Sequence, residues 1–133
     1  MEEIQVKKTP GVRRLRTGVI PGKGWPHFPG LNSLATVPEQ KALIELAQKE
    51  LGVRERTGKN DGKRVEEYLQ YVGFNKGTPW CAAFVSWVFG QAGYPQPRTA
   101  WSPALFPLSR QTQHISPAMV FGIYYSALKR IAH

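Results

Sequence analysis

Residues 78–89, with the sequence TPWCAAFVSWVF, decide the fold of this 133-residue chain. Thr78 is suited to cap a helix, Pro79 favours the first helical position, and Cys81 would then be third. The residues that follow are apolar on nearly every face, which is typical of a buried helix. Gly93 predicts the end of this helix. We therefore expect a fold built around a central buried helix that begins near the only cysteine.

An amphipathic pattern upstream predicts a first helix over about residues 37–51. Thr36 followed by Glu39 resembles a capping box, and Gly52 offers a stop signal. The apolar residues share one helical face: Leu43, Ile44, Ala47 and Leu51.

A second helix is predicted between the first helix and the central one. Asn60 or Asp61 could cap it, and Gly73 would end it. Its apolar residues follow helical spacing: Val65, Tyr68, Leu69 and Val72. The chain therefore offers three helices, with the cysteine on the last.

The rest of the chain favours strands and irregular segments. Residues 1–35 are rich in proline and glycine, and we expect an irregular N-terminal arm there. Residues 94–117 predict a long connection with a short helix near Ala104. AMVFGIYY, residues 118–125, is typical of a strand, SALK of a turn, and RIAH, residues 130–133, of a returning strand. The prediction is an α+β domain over residues 36–133, in which three helices precede a strand, a turn and a returning strand.

Composition and charge narrow the class of protein. No stretch approaches the ~20 apolar residues that span a bilayer, and the N-terminus lacks the apolar core of a signal peptide. One cysteine excludes an internal disulfide and a thiolate zinc cluster. The net charge of +9 indicates an anionic partner, which a wall polymer fits as well as a nucleic acid. Only Arg13, Arg14 and Arg16 cluster, so we expect no nucleic-acid partner.

Cys81 has two interpretations on its residues alone. A helix N-terminus stabilises a thiolate through its unpaired N–H groups and the helix dipole, which favours a reactive cysteine. Free cysteines are also among the most buried residues, and an apolar helix favours an inert core thiol. Helical position alone leaves both interpretations open.

Residues 47–103 resemble bacterial peptidoglycan hydrolases of the CHAP and NlpC class. The similar features are ELGVRE, a polar turn with Asn60, the RVEEYL helix and above all TPWCAAFVSWVF. The resemblance implies a papain-like fold in which Cys81 is the nucleophile, with no cofactor. It also implies peptidoglycan as the partner and the bacterial cell wall, periplasmic or extracellular, as the site of action.

The same resemblance implies a histidine base in the sheet, and His133 falls where that base belongs. His27 and His114 are rivals, and a chain without a base is the remaining alternative. Two departures stand out. Residues 117–119 replace the usual Gly-Asp before the first strand, and the family continues through further strands that supply a third catalytic residue. We therefore expect residues 36–133 to be a C-terminally incomplete hydrolase domain, for which a partner strand is one means of completing the sheet.

The resemblance predicts a thiol-dependent hydrolase that cleaves an amide bond of the stem peptide or cross-bridge. Cys81 and His133 would form the catalytic dyad. Trp80 and Trp101 are candidates to line the substrate groove, with a core role as the alternative for each. Asn60 and Asp61 are candidates to flank the site, with helix capping as the alternative for each. The competing function is a catalytically inactive remnant or a basic module that binds the cell wall.

Overall fold

The structure, a computed structural model, describes residues 12–18, 38–112 and 115–132, and only the backbone of residues 12–18. Its helices are α1 (Pro38–Gln48), α2 (Lys63–Tyr71) and α3 (Cys81–Gln91). Its strands are β1 (Val12–Gly18), β2 (Gln111–Thr112), β3 (Val120–Tyr125) and β4 (Arg130–Ile131). This arrangement confirms the α+β class. The short helix expected near Ala104 is present as a 3₁₀-helix, Ser102–Leu105.

The strands form one antiparallel sheet with the order β2-β1-β3-β4. The predicted hairpin is confirmed, since Tyr124 pairs with Ile131 and Tyr125 with Arg130. Strand β1 pairs with β3 and lies inside the segment for which we expected irregular chain. That expectation fails for residues 12–18 because their arginines hide the strand pattern, whereas a neighbouring strand supplies their hydrogen bonds. The remainder of the arm lies outside the described residues.

Helix α3 is the centre of the packing, as its apolar sequence predicts. Its fully or nearly fully buried residues are Ala82, Ala83, Ser86, Val88 and Phe89. Ala83 packs against α2, Val88 packs with Leu43 of α1, and Ala82 packs with Ile131 of β4. The start of α3 is thereby fixed against the last strand of the sheet.

The ends of α2 and α3 follow from glycines that adopt positive φ. Gly73 has φ 82° and Gly93 has φ 89°, a conformation that costs glycine little. The amide of Phe74 donates to the carbonyl of Leu69 at 2.9 Å, and the turn after α3 repeats this 6→1 bond. Both ends are Schellman motifs, and both predicted stop signals are confirmed.

The starts of the helices differ from the sequence predictions. Gly62 is the N-cap of α2 and no side chain caps it, so neither Asn60 nor Asp61 has the capping role expected of it.

Helix α1 ends at Gln48, and Leu51 in the turn beyond is 81% exposed instead of buried. Thr36 lies outside the described residues. No helix in the described ranges has the length and apolar character needed to cross a membrane.

Candidate functional site

Cys81 is the first residue of α3 and is half-buried. The N-cap is Trp80, which has a helical backbone and makes no capping hydrogen bond through its side chain. The prediction that Thr78 caps this helix and that Cys81 is its third residue is therefore wrong by two positions. The thiol nevertheless lies in the first turn, where backbone N–H groups have no partner within the helix.

The electrostatic setting of Cys81 opposes the thiolate. Burial raises the pKa of the Cys81 thiol, its own backbone N–H acts in the opposite direction, and the Glu55 carboxylate raises the pKa further. Of the two interpretations of Cys81, this shift favours the inert thiol, because loss of hydration outweighs the effect of the helix terminus. A thiol whose pKa is raised needs a base to remove its proton before the sulfur can attack.

Glu55, which the sequence analysis overlooked, fixes the approach to Cys81. The Trp80 indole Nε1 donates to Glu55 Oε1 at 2.8 Å, and the Asn60 backbone N donates to Oε2 at 2.9 Å. A buried indole N–H usually finds an acceptor, which is the one signal that pointed to a carboxylate here. The carboxylate thus joins the loop before α2 to the residue that precedes the cysteine.

Trp80 is a core side chain. Its ring stacks on Tyr68 at 5.8 Å and meets the edge of Phe84 at 6.3 Å between centroids. It packs against the cluster that contains Val65 and Ala83. Of the two interpretations of Trp80, the packing therefore favours the structural one.

Asn60 connects two loops beside the site. It has φ 53°, a conformation in which asparagine is enriched. Its carbonyl accepts from the amide of Gly77 at 2.9 Å, and its Nδ2 donates to the carbonyl of Gly77 at 3.4 Å. The side chain predicted to flank the site thus holds the loop that leads into α3.

A groove runs along the entrance to α3, and we name it the Trp101 groove. It has a volume of about 470 Å³, which is the size of a small-ligand site. Its principal lining residues are Phe74, Thr78, Pro79, Trp101, Arg130 and Ala132. Pro79 precedes Cys81 by two residues, a length of chain that spans at most about 7 Å. Trp101, the second tryptophan predicted to line a substrate groove, is among the residues that line this one.

The end of β4 lies at the same groove. Ile131 packs with Ala82, the residue after Cys81, and Ala132 lines the groove together with Pro79. The amide of Ala132 donates to the carbonyl of Ile123 at 3.2 Å, which holds this segment against β3. His133 follows Ala132 directly but lies outside the described residues, as do the rival histidines His27 and His114.

A second polar cluster connects the turn after α1 to α2. The Arg64 guanidinium donates to both Glu50 oxygens, at 2.7 and 2.6 Å, and also contacts Glu67. Tyr68 donates its hydroxyl to Glu50. Hydrogen bonding to Arg64 holds the pKa of Glu50 below its usual range, and burial raises the pKa of Tyr68. Within the described ranges no buried side-chain polar atom lacks a partner, which is typical of a structural network.

Comparison with protein-family models, with curated proteins and with solved structures found no match for this chain. In the described part of the chain, no three histidine, cysteine, aspartate or glutamate side chains converge to hold a metal ion. The candidate site in the described chain consists of Cys81, the Trp101 groove and the end of β4.

Proposed function

We propose that this chain is a thiol-dependent peptidoglycan hydrolase with a papain-like arrangement of the CHAP or NlpC kind. Cys81 is its nucleophile, and His133 is its general base. The substrate is an amide bond of the stem peptide or of the cross-bridge. This assignment applies the sequence resemblance to the groove and the cysteine described above.

The observation that carries the proposal is the meeting of two distant segments at one groove. Pro79 leads into the helix of Cys81, and Ala132 leads to His133, and both line the Trp101 groove. A nucleophile and a base must approach within hydrogen-bonding reach, and substrate must reach both. The packing of Ile131 on Ala82 supports that approach, since it fixes the end of β4 beside the first turn of α3.

The proposed reaction begins with a neutral thiol. His133 takes the proton from Cys81 as the sulfur attacks the amide carbonyl carbon, and the carbonyl oxygen becomes an oxyanion near the first-turn N–H groups of α3. The imidazolium then protonates the leaving amine, and the C–N bond breaks to give a thioester. Water, deprotonated by the imidazole, attacks the thioester and releases a carboxylate and the free thiol.

The raised pKa of the Cys81 thiol favours one alternative, a catalytically inactive remnant or a basic module that binds the wall. Such a protein would bind peptidoglycan through its positive charge without cleaving it. The distinction between the two functions is whether the wall is cut, and by which residues.

The test measures release of new amino groups from purified, insoluble bacterial cell wall by the full chain. We expect Cys81→Ala to abolish release and His133→Gln to lower it by roughly 100-fold or more, as loss of a general base does. His114→Gln and His27→Gln are the matched controls and should retain activity. Release that persists in Cys81→Ala, or a wild-type chain that binds wall without cutting it, would overturn the hydrolase proposal.

A further inference from the structure

The Trp101 groove has two exposed aromatic walls from separate parts of the chain. Phe74 is 47% exposed and follows α2, and Trp101 is 53% exposed and precedes the 3₁₀-helix. Burying a large aromatic side chain is favourable, so two such side chains left facing one groove offer binding energy to a ligand. The groove therefore presents an apolar surface of ligand size.

Hydrogen bonds to main-chain groups hold the two segments that carry the aromatic walls. The Thr99 backbone is bound at both its N–H and its C=O by the Ser86 hydroxyl of α3, each at 3.0 Å. The amide of Trp101 then donates to Thr99 Oγ1 at 2.9 Å. Phe74 is held by the Schellman bond to Leu69. A wall fixed before binding costs less entropy when the ligand arrives, so the groove is suited to specific recognition.

Arg130 is the charged residue among those that line the groove in the described chain. Its guanidinium lies 4.6 Å from the centre of the Trp101 ring, and no carboxylate in the described ranges forms a salt bridge with it. A guanidinium presents a planar fork of donors that matches a carboxylate. The contact with the Trp101 ring positions the guanidinium at the groove and leaves its N–H groups able to donate hydrogen bonds.

We propose that the Trp101 groove selects a peptide with a free carboxylate. The carboxylate pairs with Arg130, and the aliphatic part of the peptide packs on Trp101 and Phe74. One cation among apolar walls fits a single carboxylate, whereas a phosphate polymer would call for several cations. This inference rests on the proposed function for the identity of the peptide, which is the stem peptide of peptidoglycan, with Arg130 discriminating free acids from amides.

The test measures binding to the full chain carrying Cys81→Ala, so that cleavage cannot interfere. The probes are the synthetic stem tetrapeptide L-Ala-γ-D-Glu-L-Lys-D-Ala with free carboxylates and the same peptide with every carboxylate amidated. We expect the free acid to bind at least ~10-fold more tightly, because a charge-assisted pair is lost in the amide. Changes in tryptophan fluorescence and in NMR shifts around the groove report the binding.

Adding Arg130→Gln should remove the preference for the free acid. Arg98→Gln is the matched control, since Arg98 lies over Tyr71 at 4.9 Å and does not line the groove. Equal affinity for acid and amide, a preference that survives Arg130→Gln, or no saturable binding of the free acid would overturn the inference. None of these three binding results would count against cleavage of the wall by Cys81. A chain that binds the acid through Arg130 but cuts no wall would reject the hydrolase proposal alone.

Discussion

Trp87 and Trp101 each have an arginine guanidinium over the ring, but the surroundings of the two pairs differ. Arg64 lies 4.4 Å from the centre of the Trp87 ring, and Arg130 lies 4.6 Å from the centre of Trp101. Around Arg64, Glu50 and Glu67 accept its hydrogen bonds, and the Glu50 side chain is only 9% exposed. Around Arg130 there is a groove. The same local contact thus occurs once inside a closed network and once at an open surface.

The difference shows what an arginine–aromatic contact does in each setting. Next to a buried carboxylate, the ring screens an ion pair that would be costly to leave broken. At an exposed groove, the ring orients a cation whose hydrogen-bonding capacity is available to an incoming group. Arg64 therefore contributes to stability, whereas Arg130 is the residue for which we propose recognition, and a separate measurement tests each role.

The largest expected effect is on stability at Arg64. Arg64→Met leaves Glu50 nearly buried without its cation and should lower the free energy of unfolding by about 3 kcal/mol, the low end for a broken buried pair because Arg64 is partly exposed. Arg130→Met should cost at most about 1 kcal/mol, the range of an exposed cation–π contact. Urea unfolding of the full chain measures both.

Lys63→Met is the control for Arg64→Met, because it removes a neighbouring exposed cation of the same helix that forms no salt bridge in the described ranges. It should change the stability by less than about 0.5 kcal/mol. Similar losses for Arg64→Met and Arg130→Met would show that the two arginine–tryptophan pairs contribute equally to stability.

A smaller expected effect concerns the loss of stability as the pH is lowered. The folded-state pKa of Glu50 is lowered, chiefly by hydrogen bonding to Arg64. Its contribution to stability is therefore present above the unfolded glutamate pKa of ~4.3 and is lost as the pH falls through the lower folded-state value. Glu50→Gln should flatten the decline in unfolding free energy between about pH 6 and pH 3 relative to wild type.

Asp61 also has a lowered pKa, chiefly because it accepts a hydrogen bond from the amide of Thr57. It contributes acid sensitivity to wild type and to Glu50→Gln alike, so the difference between the two curves reports Glu50. Identical slopes in both proteins would show that the Glu50–Arg64 pair adds nothing to stability that depends on pH.

The smallest expected effect concerns the pKa of the Cys81 thiol and the carboxylate of Glu55. Glu55 has different partners from Glu50 and Asp61. Its described hydrogen bonds come from the neutral donors Trp80 Nε1 and Asn60 N, and its charge raises the pKa of the Cys81 thiol. Glu55→Gln keeps an acceptor for the indole and removes the charge. The pH midpoint of Cys81 alkylation by iodoacetamide should move down and remain above the ordinary cysteine range, because burial persists.

Glu45→Gln is the control for that measurement, since Glu45 lies on the exposed face of α1 and pairs with Lys41. It should leave the alkylation profile of Cys81 unchanged. A midpoint at or below that of a free cysteine in wild type would mean that the helix terminus dominates after all and that a preformed thiolate attacks.

The sequence predicted those parts of the fold that depend on local pattern. Apolar periodicity identified the buried faces of α2 and α3, and Gly73 and Gly93 identified where those helices end, because a positive φ is a property of one residue. The hairpin of β3 and β4 was likewise readable from β-branched and aromatic residues. Strand β1 was missed because its pairing depends on a partner about a hundred residues away along the chain.

The candidate site was only partly predictable for the same reason. Cys81 and Trp101 carry signals of their own. Phe74 and Arg130 belong to the groove only because α2 and β4 end beside it, and nothing in their own neighbourhood marks that meeting. The direction of the Cys81 pKa shift was also beyond sequence, since the amount of water lost from the sulfur is set by the packing of the whole domain.

The hydroxyl of Ser86 has a consequence for how this molecule opens. Ser86 is fully buried within α3, and its hydroxyl donates to the C=O of Thr99 and accepts from the N–H of the same residue. A peptide group of a neighbouring strand would make the same two kinds of bond. The turn that carries Trp101 is consequently part of the same cooperative unit as α3, and the two lose their order together. The Trp101 wall of the groove and the helix that begins at Cys81 therefore share one frame, whose local unfolding would disrupt both at once.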